Sequence, residues 1–287
     1  MKDYLKLMRV KHYIKNFLIF AVIIFSSNLF NTNMLFTNIL NFISFSLCCS
    51  IVYTINDIFD MEKDKKHPTK KNRPLASGRI KKKNAYIFAF ILFCASTIFN
   101  FLPCIFYNNY SLLFTYLCLY GYLTINILYS IKLKHIPIVD IFILSLGFLI
   151  RVVYGSVSIG VSISNWMYLT VLAVSFYAAL GKRRNEYIKN GSKSREVLKY
   201  YNKEYLNKFM NTFLTAAVVF YSLWANNMNS IFFLISILFV IFILMRYSLI
   251  VEGDSFGDPV DVVLNDKLLF FSIITYGLYM GGVLYAF

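Results

Sequence analysis

Every second loop between the apolar stretches of this chain is free of Lys and Arg. Nine segments long and apolar enough to cross a bilayer lie near residues 16–30, 36–56, 85–105, 110–129, 138–160, 165–181, 208–226, 230–250 and 268–286. Of the 29 Lys and Arg, five fall in residues 1–15, ten in 57–84 and nine in 182–208. Lys132, Lys134, Arg246 and Lys267 lie near span ends on the same side, and only Arg151 lies inside a span. The intervening loops NLFNTNMLFT, PCIFYNNY, GVSISNW and ANNMNS carry neither residue. Because basic residues are retained in cytoplasmic loops, the alternation predicts an all-α fold. It is a polytopic membrane helical bundle of nine transmembrane helices with a cytoplasmic N-terminus. A single domain spans 1–287, with cytoplasmic loops at about 57–84, 182–207 and 252–267.

Composition agrees: 58% of residues are hydrophobic, against about 45–50% in soluble domains. The formal charge of +15 reflects sidedness and the attraction of basic loops to an anionic leaflet, so it calls for no nucleic-acid partner. The five Cys (48, 49, 94, 104, 118) lack metal-ligand spacing and read as small apolar residues within helices.

The densest charge lies in residues 53–78, YTINDIFDMEKDKKHPTKKNRPLASG, where the second span meets water. Asp57, Asp60 and Asp64 stand at i, i+3 and i+7 and share one helical face, while Glu62 points the other way. With Asn56 one turn before Asp60, this face suits Mg²⁺, a hard cation shared between carboxylates and substrate phosphates. The competing reading is a solvated helix end followed by a basic loop. Lys70, Lys71 and Arg73 stand within reach of the anion such a metal carries. Pro68 and Pro74 predict that the acid-bearing helix ends before His67.

Elsewhere the residues allow two readings each. Lys15, beside Asn16 at the mouth of the first span, either snorkels or faces a phosphate. Lys132, Lys134 and His135 suit a solvated turn. Asp140, Gly147, Arg151 and Ser158 return to one face of the fifth span, and ionisable residues there usually face a cavity or a partner. Lys182, Arg183 and Arg184 in LGKRRNEY read on charge alone as a topological anchor, and residues 188–207 as polar and helical. In GDPVD, Asp258 is placed to cap a helix that opens with Pro259 and carries Asp261 in its first turn, with metal binding as the other reading.

Taken together, these residues resemble the UbiA superfamily of intramembrane prenyltransferases, whose N-D-x-x-D-x-x-x-D motif is matched by Asn56, Asp57, Asp60 and Asp64. A finer resemblance is to the decaprenyl-phosphate phosphoribosyltransferase branch. It rests on VKHYIKN, HPTKKNRPLASG, LKHIPIVDIFILSLGFLIR, ISNW, GKRRNE, and MRY followed by GDPVDVVLND, spread in order over nearly the whole chain. GDPVD departs from that pattern in lacking an acid directly after the proline. The resemblance implies Mg²⁺-dependent transfer of 5-phosphoribose from phosphoribosyl diphosphate to a polyprenyl phosphate, releasing diphosphate. Under it, Asn56, Asp57, Asp60 and Asp64 are metal ligands, the three acids being catalytic. The substrate-binding set is Lys15, Tyr53, Lys70, Arg73, Lys134, Asp140, Arg151, Lys182, Arg183 and Arg184. The enzyme would sit in a bacterial plasma (inner) membrane with its active site facing the cytoplasm, and self-association into a homo-oligomer is allowed. A prenyltransferase using a prenyl diphosphate donor is the alternative within the superfamily. A transporter of anionic solutes is the alternative outside it.

Overall fold

In a bilayer every backbone N–H and C=O needs a partner within the protein, and a long apolar run meets that demand as a helix. The structure, a computed structural model, describes residues 2–191, 195–253 and 257–286. Residues 192–194 and 254–256, parts of two of the expected cytoplasmic loops, lie outside them. Among the described residues there is no strand. In chain order the elements begin with α1 (Lys2–Met8), a 3-10 segment (Val10–Phe20), α2 (Ala21–Phe25), α3 (Thr32–Phe59) and α4 (Met61–Lys65). They continue with α5 (Lys82–Phe101), α6 (Leu112–Ile131), α7 (Val139–Ile159), α8 (Asn165–Asn190), α9 (Lys203–Asn227), α10 (Ile231–Glu252), α11 (Pro259–Asn265) and α12 (Lys267–Ala286).

Among the described residues, six helical stretches are long and apolar enough to cross a membrane: α3, Lys82–Ile105, α6, α7, α10 and Lys267–Tyr285. The chain is an integral membrane protein. The other three expected spans are helical but fall short of that standard. The first is split between the 3-10 segment and the five residues of α2, and α8 and α9 carry the KRRNE and KEYLNK ends.

Helix starts follow local chemistry. Asn31 Oδ1 accepts from the Met34 N–H at 3.2 Å to open α3, and Asn202 Oδ1 accepts from the Tyr205 N–H at 2.7 Å to open α9. At α11, Asp258 Oδ1 accepts from the Val260 N–H at 3.1 Å with Pro259 next in line, the cap that GDPVD predicts.

Contacts divide the chain into two units, residues 1–133 with 150–162, and residues 134–149 with 163–287. In the first, Ile19, Phe45, Cys48, Cys49, Leu119, Tyr122 and Tyr154 form one core. Gly155 of α7 is required there, since a Cβ at that position would lie 2.0 Å from the Ile19 carbonyl oxygen. A second cluster joins Leu7 of α1 to Ile58, Leu75, Ile80 and Ala85. It fixes the N-terminal helix and the loop after α4 against the end of α3. In the second unit, Tyr177 and Leu180 of α8 pack with Leu206, Met210, Val251, Val262 and Leu269. Gly257, at φ 72°, approaches α8 so closely that a Cβ would meet Lys182 Cα at 3.0 Å.

Candidate active site

The acid run does not form one unbroken helix. Asp60 sits at φ −87°, ψ 2° and separates α3 from α4. The ladder nevertheless holds around it, because the Asp60 N–H bonds Asn56 O at 2.9 Å and the Asp64 N–H bonds Asp60 O at 2.8 Å. Asp57 and Asp64 stay on the same buried side, Asp60 is half-buried, and Glu62 turns outward to pair with Lys65 at 2.7 Å.

Arg73 closes the arrangement. A residue before proline is driven into the extended region, and Arg73, before Pro74, has φ −65° and ψ 148°. Its guanidinium returns to the acids, with Nη1 at 3.1 Å from Asp57 Oδ1 and 2.6 Å from Asp64 Oδ2. Arg9 reaches the same Asp57 Oδ1 through Nη2 at 2.5 Å and lies over the Tyr53 ring at 4.8 Å. Two carboxylates thus converge on a single cationic nitrogen.

That convergence of carboxylate oxygens fits a hard divalent cation. Among the described residues no three His, Cys, Asp or Glu side chains gather around one point. Two carboxylates together with substrate phosphates and water would suit Mg²⁺, which is commonly held in that way. Lys70 is exposed in the short 3-10 turn Lys70–Asn72, and Lys15 is half-buried in the 3-10 segment.

Arg151 is buried in the same unit. Its Nε donates to Asn16 Oδ1 at 2.7 Å, and Nη2 lies 3.2 Å from the Tyr122 hydroxyl and 3.4 Å from Cys49 Sγ. The guanidinium carbon sits 5.1 Å from the Phe45 and Tyr122 ring centres. Neutral oxygens, sulfur and π faces thus surround the charge.

In the second unit, Asp140 accepts from Arg183 Nε at 2.5 Å and from the Tyr201 hydroxyl at 2.7 Å. Arg183 Nη1 continues to Glu186 at 2.6 Å. Burial pushes the Glu186 carboxyl up, but Arg183, Arg195 and Lys182 outweigh it and hold the group below its ordinary value. Arg184 donates to Asn207 Oδ1 at 2.6 Å and to the Glu252 carbonyl at 3.3 Å. Lys182 Nζ stands 3.6 Å from Asp258 Oδ2, and Lys134 lies in the 3-10 turn before α7.

The sequence profile of the UbiA prenyltransferase family matches residues 17–279. The chain belongs to the UbiA prenyltransferase family. A decaprenyl-phosphate phosphoribosyltransferase of Mycobacterium tuberculosis is 31% identical over 236 residues, covering 80% of this chain and 76% of the relative. The enzyme of the same name from Corynebacterium glutamicum is 30% identical over 277 residues, covering 92% and 81%. In fold, the chain resembles a UbiA homologue from Archaeoglobus fulgidus bound to GPP and Mg²⁺, with a TM-score of 0.75 at 16% identity over 99% of this chain and 100% of the other.

Within this UbiA-family chain, sequence reasoning singled out the acids and Arg73 but passed over Arg9, which it counted only as part of a basic segment. No spacing rule links residue 9 to residue 57; the tie is tertiary, through buried Leu7. Tyr122 and Cys49 beside Arg151 were also missed, for each stands in an apolar run where nothing local sets it apart.

Proposed function

We propose that this chain is a membrane glycosyltransferase that moves 5-phosphoribose from phosphoribosyl diphosphate to a polyprenyl phosphate. The observation that carries the reading is the convergence of Asp57 and Asp64 on Arg73, with Arg9 on the same carboxylate. Relatives bearing the phosphoribosyltransferase name, 30–31% identical over 80–92% of this chain, support it. In this reaction the anomeric C1–O bond to the diphosphate breaks, a C1–O bond to the lipid phosphate forms, and diphosphate leaves with the bonding electrons. Asn56, Asp57, Asp60 and Asp64 would hold Mg²⁺, and structural neighbours that bind Mg²⁺ support its use. An ion held there would supply Lewis-acid stabilisation of the diphosphate.

Arg73 and Lys70 then bind the leaving diphosphate, where fixed cations offset the charge that develops. Tyr53 supports the Arg9 guanidinium from below. Lys15 and Arg151 are proposed for the remaining phosphates. In the second unit, Lys134, Lys182 and Arg184 are proposed to bind phosphate oxygens, and Asp140 to act through Arg183, whose direction it fixes. The polyprenyl phosphate is already an anion at neutral pH, so no general base is needed. The lipid tail lies among apolar helices, and no nucleic acid takes part.

We further propose nine spans with a cytoplasmic N-terminus in a bacterial inner membrane, and an active site on the cytoplasmic side. The alternation of loops rich in Lys and Arg with loops that carry neither supports the count.

Purified protein in detergent, given labelled phosphoribosyl diphosphate, Mg²⁺ and polyprenyl phosphate, should yield a lipid-linked phosphoribose. If instead only a prenyl diphosphate is consumed and an acceptor alkylated, the second reading replaces the first. The neighbour bound to GPP gives that reading its support. Membership of a prenyltransferase family sets the transporter reading aside.

A further inference from the structure

We propose that Arg9 competes with the divalent ion for Asp57 Oδ1, and thereby couples metal binding to the arrival of the diphosphate. The inference rests on the metal and diphosphate reading of this site, but not on which group is transferred.

Three observations carry it. Asp57 Oδ1 accepts from Arg9 Nη2 at 2.5 Å and from Arg73 Nη1 at 3.1 Å, and the same Arg73 nitrogen reaches Asp64 Oδ2 at 2.6 Å. Asp57 and Asp64 are thus each held by a guanidinium, with half-buried Asp60 between them in sequence. Second, Arg9 is held at φ 53°, ψ 48°, a left-handed conformation that is uncommon outside glycine and persists only where the surroundings over-determine it. Those surroundings are visible: Leu7, two residues earlier, is fully buried, and the guanidinium rests on the Tyr53 ring. Third, Arg9 is 23% exposed while Asp57 is 3% exposed. Arg9 is thus the more accessible member of the pair, and the carboxylate the more enclosed one.

A divalent ion bound without a counter-anion would add two charges beside two guanidiniums in a half-buried place. Arg9 and Arg73 would have to give up their present bonds to Asp57 and Asp64. When diphosphate arrives as well, both guanidiniums gain an acceptor whose oxygens suit their planar fork. The metal and the diphosphate then bind each more tightly in the presence of the other, by the same factor.

The test is equilibrium dialysis of Mn²⁺ against the full-length protein in detergent, at matched free Mn²⁺, with and without inorganic diphosphate. Wild type should bind Mn²⁺ about tenfold more tightly when diphosphate is present. Arg9→Gln should bind Mn²⁺ alone several-fold more tightly than wild type and lose most of the gain from diphosphate. Arg9→Lys, which keeps the charge without the fork, should fall between them and carries the test if the Gln variant does not fold. Arg246→Gln, which removes a pair to Asp266 at 2.6 Å in the second unit, should match wild type. If neither Arg9 variant alters Mn²⁺ affinity or its gain, the proposal is overturned and the metal site stands. If wild type binds no Mn²⁺ even with diphosphate, both are overturned.

Discussion

Arg183 Nε lies 2.5 Å from Asp140 Oδ2, and these side chains are 1% and 0% exposed. A charge pair so far from water is costly to assemble but more costly to break, because the survivor is left as an unpaired buried ion. Asp140→Ala should lower stability by about 3–5 kcal/mol, read as a fall in the thermal midpoint in detergent. The double change Asp140→Leu with Arg183→Met should recover only part of it, because the pair is removed together but Glu186 then keeps Arg195 alone, at 3.7 Å, and the Tyr201 hydroxyl loses its acceptor. A single variant as stable as wild type would show that water reaches the pair.

The acids of α3 and α4 invite a sharper comparison. Asp57→Asn and Asp64→Asn keep the shape of each side chain and remove the charge that Arg73 and the metal share. Each should reduce transfer by at least about a hundredfold, the scale seen when one stabilising group for developing charge is lost. Asp60→Ala should also lose activity, as the half-buried third member of the motif. Glu62→Gln, on the outward face beside Lys65, should leave the rate unchanged. Measured kcat for these variants distinguishes a metal face from a merely acidic helix end, which would treat Glu62 and Asp64 alike.

What could be read from the sequence was whatever depends on local rules. Apolar runs placed the helices, the i, i+3, i+7 spacing put Asp57 and Asp64 on one side, and Pro68 and Pro74 marked the end of the acid-bearing stretch before His67. The GDPVD cap at Asp258 was equally local. The break at Asp60 was not legible, because a bridge-region residue between two intact hydrogen bonds leaves no compositional mark. Nor was the 3-10 course of Val10–Phe20, which is much longer than such helices usually run. Its backbone is pressed against Gly155, a contact between residues far apart in sequence. Arg9 belongs to the same class: its role depends on where Leu7 is buried, and residue 9 itself shows only one more positive charge.

Acid should weaken the fold through two carboxyls. Glu186 is held below its ordinary value, burial being outweighed by Arg183, Arg195 and Lys182. Asp266 is lowered by its hydrogen bond from Arg246 and by the Leu269 N–H. A carboxyl with a depressed folded-state pKa contributes stability that is fully present above its unfolded value, near about 4, and lost as pH falls through the folded one. Thermal midpoints should therefore hold from neutral pH to about 5 and drop below about 4. In Glu186→Gln the drop should be shallower. An identical acid profile in that variant would mean that its three cationic neighbours do not bear on stability.

Arg151 separates a ligand from a strut. Its Nε is bound to Asn16 Oδ1 at 2.7 Å and its Nη2 faces Tyr122 and Cys49, so Arg151→Met leaves the Asn16 oxygen without that donor. An unsatisfied buried acceptor costs about 1–3 kcal/mol, and a modest fall in thermal midpoint is expected on that ground alone. Arg151→Lys restores a charge but not the planar fork that reaches Asn16 and Tyr122 together, so it should recover stability only in part. If Arg151 also holds a substrate phosphate, both variants should raise KM for the donor or the lipid acceptor well beyond what their stability loss explains. Kinetics below the unfolding transition provide the comparison: a lowered midpoint with unchanged KM for both substrates would make Arg151 a structural residue and remove it from the site.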